Sequence, residues 1–198
     1  MTLSSRLLFG ALIVLGVAHA QSPPPQAPAV GTPVPQSEGS GKAPKVLTLP
    51  DGTKLLELEW DDLIPPEKRG SFAGGAPGAA HDYLGEAAPA AQQSLDFSAN
   101  SALEGQLVKI PGFIVPLDVA KDGTVSEFFL VPYFGACIHV PPPPPNQIVH
   151  IKAPKGIALD SIYEAYWITG TMTMQNKSTR LGAAAYSLSA DKVEIYKY

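Results

Sequence analysis

A single cysteine, Cys137, stands in a chain of 198 residues, so no intramolecular disulfide can staple the fold. Basic residues are outnumbered, 14 Lys and Arg against 18 Asp and Glu, which opposes nucleic acid as a partner because that demands a basic footprint. Beyond the N-terminus, no run approaches the roughly 18 apolar residues that a membrane helix needs. No span is therefore expected after the leader. Paired Cys or His motifs of the strong zinc patterns are also missing.

The leader itself is present. A basic start ending at Arg6, an apolar run from Leu7 to about Val17, and Ala18-His19-Ala20 before Gln21 follow the layout of a secretory signal peptide. The expectation is export to the periplasm through a cleaved signal over residues 1–20, without a lipid anchor, since no Cys follows the cleavage site. Loss of Arg6 leaves 13 basic against 18 acidic residues.

Residues 21–45 are dominated by Pro, Gln, Ala, Gly and Ser, a composition too poor in apolar surface to offset ordering entropy. They read as a disordered Pro-rich tether. Residues 46–102 read as an irregular extension packing on the domain: Pro50-Asp51-Gly52 suits a tight turn, Leu56, Leu58 and Trp60 alternate with acids, and Gly and Ala are frequent from Gly70 to Asn100.

Residues 103–198 carry the regular pattern. Strand-like runs cover Leu107–Leu117, Val125–Phe134, Gln147–Lys152 and Tyr163–Met174, followed by two short runs, AAAYSL and KVEIY, before the C-terminus. Lys121-Asp122-Gly123 reads as a turn and Gly170 as a bend. The first two strands are apolar on both faces over part of their length, which suits a closed sheet. The predicted class is mainly β, a small five-stranded OB-like barrel, with a β-sandwich as the alternative.

The most informative segment runs from Tyr133 to Gln147. Pro141, Pro142, Pro143, Pro144 and Pro145 impose a stiff polyproline stretch without backbone donors. If the backbone before it is extended, Cys137 and His139 share a side, and His150 on the next strand completes three soft ligands of the kind that zinc, or less readily copper, takes. Asp160, His81, water or a partner would supply a fourth. Three other readings stay open. In one, Cys137 is buried, His139 caps the polyproline and His150 is solvated. In the second, Cys137 is a nucleophile beside His139, although no orienting third group is evident. In the third, Phe134, Pro141–Pro145 and Asn146 form a rigid edge that recognises a protein. Met172 and Met174 suit core packing better than ligation, and Trp60-Asp61-Asp62 offers too few acids for calcium.

The runs EWDDLIPP, GQLVKIPGFIVPL and VPYFGACIHVPPPPPNQIV together resemble an exported proteobacterial family described only as domain of unknown function 3299. The resemblance spans Trp60 to the C-terminus and carries Cys137 and His139 as motif positions. It implies an accessory role in periplasmic zinc handling beside ABC transporter components; a non-enzymatic role is expected, with another exported protein as the alternative partner of the polyproline edge.

Overall fold

A computed structural model describes residues 27–35, 43–69, 93–159 and 161–197. The proposed signal peptide, His81 and Asp160 lie outside them.

Among the described residues nine strands occur in chain order: β1 (Lys45–Thr48), β2 (Lys54–Glu57), β3 (Leu107–Val119), β4 (Thr124–Val131), β5 (Val149–Ala158), β6 (Ala165–Thr173), β7 (Lys177–Thr179), β8 (Gly182–Ala184) and β9 (Tyr186–Ile195). Five of them close a barrel in the order β3-β4-β5-β9-β6, with β6 returning to pair with β3. All barrel pairings are antiparallel except β5–β9. The OB-like reading is thereby met and the sandwich set aside.

Local chemistry explains the corners. Asp122 accepts from the Thr124 amide and hydroxyl, 3.0 and 2.8 Å, and Gly123 takes a φ of 83°, closing the β3–β4 turn. At the Gly170 bend the β6–β9 register shifts, and a side chain there would run into the Ser189 carbonyl. Of the two runs expected before the C-terminus, Tyr186–Leu188 of the first continues into the second as one strand, β9, while Ala183 and Ala184 belong to β8. A short hairpin, β7–β8, stands before it and pairs only with itself.

Strand alternation sorts the apolar residues into two cores. Phe128, Leu130, Val149, Ile151 and Ile168 fill the barrel with Trp60, Leu63, Leu103 and Tyr186. Phe113, Val115, Phe129, Val131, Ile148 and Ala165 face outward and are covered by Val34, Tyr133, Ala136 and Ala184. Both sides of β3 and β4 are thus dry, which accounts for their continuous apolar runs.

The extension contributes β1, β2 and three 3-10 turns, and polar ties to the barrel fix it. Trp60 Nε1 donates to Pro111 O at 2.8 Å, Gln147 Nε2 to Trp60 O at 3.0 Å, and the Tyr186 hydroxyl to Leu63 O at 2.6 Å. Part of the expected free tether is also docked. Gly31 donates to Phe134 O, Phe134 to Thr32 O and Val34 to Pro132 O, each at 2.8 to 2.9 Å. Val34, 1 % exposed, supplies the apolar anchor that the proline-rich composition conceals.

Candidate functional site

The loop from β4 to β5 departs from the expected geometry at Cys137. Gly135 and Cys137 have φ of 82° and 66°, and the amides of Ile138, His139 and Val140 all converge on Gly135 O. The chain therefore coils into a tight turn instead of extending, and the alternation argument that put Cys137 and His139 on one side does not apply. Cys137 turns inward against the outer core, where burial pushes its thiol up to about 12. His139 and Ile138 are exposed.

His150 sits elsewhere, buried on the outer face of β5 with 1 % of its side chain exposed. Its Nε2 lies 2.7 Å from Glu127 Oε1 and its Nδ1 lies 3.2 Å from Ser187 Oγ. The Ser187 hydroxyl in turn lies 3.1 Å from the Gln175 carbonyl, and Lys177 Nζ reaches the same Glu127 oxygen at 2.7 Å. Burial draws the pKa of His150 below its ordinary value, opposed by the Glu127 carboxylate. Hydrogen bonds from Lys177 and then His150 hold Glu127 below the usual carboxylate range. Glutamate, histidine and serine in line suggest a hydrolase triad, but Ser187 is buried, 4 % exposed, with no face open to a substrate.

Zinc does not fit the three expected ligands as they stand. Cys137 packs into the outer core while His139 is exposed, the His150 imidazole has both nitrogens engaged, and among the described residues no three His, Cys, Asp or Glu side chains gather where an ion could be held.

The polyproline run faces inward more than out. Tyr133 Oη donates to Pro141 O, Gln93 Nε2 to Pro143 O and Ala185 N to Pro145 O, at 3.2, 2.7 and 2.8 Å. Pro143, Pro145 and Asn146 are buried, and Pro141, Pro142 and Pro144 half-buried. The run braces the barrel, and as an exposed recognition edge it is largely unavailable. Its missing N–H groups leave its carbonyls to be capped by the chain around it.

What the turn does expose is a cleft of about 160 Å³ between it, β3 and the segment before β6. Phe113 and Val115 form the floor, Phe134 and Gly135 one wall, Ile138 and Tyr163 the rim. Phe134 packs edge-on against Phe113 and tilts toward Tyr163, with centroids 5.7 and 5.9 Å apart. Ile138, Ile162 and Tyr163 are 59 %, 51 % and 42 % exposed around one opening. Sequence reasoning singled out Phe134, and His139, which also lines the cleft, though for metal rather than for this hollow. Exposure of Ile162 and Tyr163 has no local signature, because it depends on where β6 begins.

The segment that builds the cleft lies within the match to a family model, "Protein of unknown function (DUF3299)", over residues 60–195. The chain belongs to this family. The crystal structure of a DUF3299 family protein from Pseudomonas aeruginosa PAO1 is 48 % identical, covering 72 % of this chain and 96 % of that one, with a TM-score of 0.61. No match was found among curated proteins. Family membership accords with the close reading of the Cys-x-His-x-Pro motif, and the family's description gives it no function.

Proposed function

We propose that this DUF3299 protein is an exported, non-enzymatic binding module that captures a large apolar side chain of another exported protein in the cleft beside β3. The observation that carries this reading is the gathering of Ile138, Ile162 and Tyr163, three large and strongly exposed apolar side chains, around one apolar hollow. Singly exposed apolar residues are ordinary; clustered ones on a concave surface are characteristic of binding sites. The volume suits one aromatic ring, since an apolar cavity of roughly 150 Å³ accommodates benzene. A partner side chain would exchange water for contact with Phe113, Phe134 and Tyr163, the kind of aromatic anchoring that dominates interfaces.

A thiol enzyme draws little support from Cys137, whose proton is held by burial. Zinc handling, which the family resemblance implied, would need ligands from beyond the described residues or from the partner.

Site-specific photocrosslinking tests the proposal. A photoreactive residue at Ile138 and another at Tyr163 should each trap the same exported protein, and one at Val46, 55 % exposed on β1, should not. Unrelated products from the two cleft positions, or the same products from Val46, would count against it.

A further inference from the structure

The hairpin β7–β8 lies over the outer face of β4 and β5, yet it makes no ladder with the barrel. Two-stranded hairpins are marginal alone, so its position depends on the ties at its two strands. Its return strand β8 is firmly held. Gln93 clamps it, its Nε2 donating to Ala183 O at 2.8 Å and its Oε1 accepting from Ala183 N at 2.7 Å. Ala184 packs into the outer core, and the following Ala185 donates to Pro145 O.

The leading strand β7 is held differently. Its polar tie to the barrel is Lys177 on Glu127 Oε1, with Gln175 just before it lying against Ser187. Beyond the tip, Thr179, Arg180 and Leu181 border an open hollow against Leu117. Against the barrel, β8 is therefore anchored by packing and amide pairs and β7 by a single carboxylate oxygen; otherwise, among the described residues, β7 is held only through its three-residue ladder with β8.

That oxygen serves two groups. His150 Nε2 and Lys177 Nζ both lie 2.7 Å from Glu127 Oε1. A neutral imidazole donates to Glu127 and leaves its charge to Lys177. An imidazolium places a second cation on the same oxygen, buried, beside Lys177. The charged groups acting on His150 are Glu127 from β4, Lys177 from β7 and Lys152 on its own strand. Phe129 of β4 presents a ring edge, 6.2 Å between centroids, and Ser187 of β9 a hydroxyl. Lys177 already holds the carboxylate and Lys152 adds repulsion, so a protonated His150 competes with Lys177 for the one oxygen.

We propose that β7–β8 is a proton-operated flap, hinged on β8, whose leading strand is released when His150 takes a proton and displaces Lys177 from Glu127. Release opens the buried His150 and Ser187 side chains beside Glu127 to solvent. The sign follows from burial: the shut state disfavours the imidazolium, so the open state binds the proton more readily. Closure is fully supported above the ordinary histidine value of 6.5 and is lost as pH falls below it. The flap is independent of the cleft beside β3, and either can fail without the other.

Hydrogen–deuterium exchange on the purified protein, corrected for the intrinsic pH dependence of exchange, tests it. Going from about pH 7.5 to about pH 5.5, either side of the histidine range, exchange over residues 175–179 should rise about fivefold or more, the lower end of ordinary coupling between linked sites. Amides in β3 and β4 should not change. His150→Gln keeps a donor toward Glu127 but cannot charge, and should abolish the response. Lys177→Met, at a side chain 40 % exposed, should exchange fast at both pH values. A flat profile in the unmodified protein overturns the proposal, as does an unaltered acid response in His150→Gln. If that variant fails to fold, an acid response persisting in Lys177→Met decides against it equally.

Discussion

Removing the Tyr186 hydroxyl tests how the extension is held on the barrel. Tyr186 is fully buried; its hydroxyl donates to Leu63 O and accepts from Asn100 N, both at 2.6 Å. Leu63 is 0 % and Asn100 7 % exposed, so water has little access to either group. Tyr186→Phe keeps the ring and its packing but strands one buried carbonyl and one buried amide. Each orphaned group costs about 1–3 kcal/mol, giving an expected loss of about 2–6 kcal/mol. For a domain of this size each kcal/mol moves Tm by about 2–4 °C, so melting should fall by about 4–24 °C. Urea denaturation followed by tryptophan fluorescence gives the free energy directly, because Trp60 sits in the same core. Tyr196→Phe is the control: its hydroxyl bonds Pro35 O at 2.9 Å at an exposed site, and its removal should cost about 0.5 kcal/mol or less. Equal effects from the two variants, or a loss below about 0.5 kcal/mol for Tyr186→Phe, would refute the claim that this hydroxyl is the buried tie.

Further expectations concern the loop and the bend. Cys137 should react with a thiol reagent at neutral pH far more slowly in the folded protein than in denaturant, since burial keeps it protonated; equal rates would show an open thiolate. Zinc titrated into the purified protein should bind with the same stoichiometry in Cys137→Ser, and loss of a single site in that variant would restore a Cys137-centred metal reading. Gly170→Ala should destabilise by about 1–3 kcal/mol or more by forcing a methyl group against the Ser189 backbone, measured by the same denaturation.

Much of the barrel was legible because its signals are local. The Lys121–Gly123 turn, the Gly170 bend, and the alternation that sends Val149 and Ile151 inward and Ile148 outward need only nearest neighbours. The hairpin β7–β8 was not, since its strands are three residues each and contain little apolar surface. Docking of Gly31–Val34 depends on one buried valine in a proline-rich stretch. The site was harder. Extended geometry at Cys137 was an assumption, and two left-handed residues, Gly135 and Cys137, defeat it; Gly135 was the only local hint. Glu127, His150, Lys177 and Ser187 converge from four strands, across up to 60 residues of sequence, and spacing does not encode such a meeting. The cleft requires the Phe134 turn and the Ile162–Tyr163 corner to come together, which is again a property of the closed barrel.

The claim that the cleft beside β3 receives an apolar side chain is tested most directly by titrating the isotope-labelled protein with a short peptide carrying one phenylalanine, alongside the same peptide with alanine in its place. Resonances of Phe134, Ile138 and Tyr163 should shift with the phenylalanine peptide alone, and Ile138→Asp should remove the response. Absence of shifts at millimolar peptide, or equal shifts with both peptides, would contradict it.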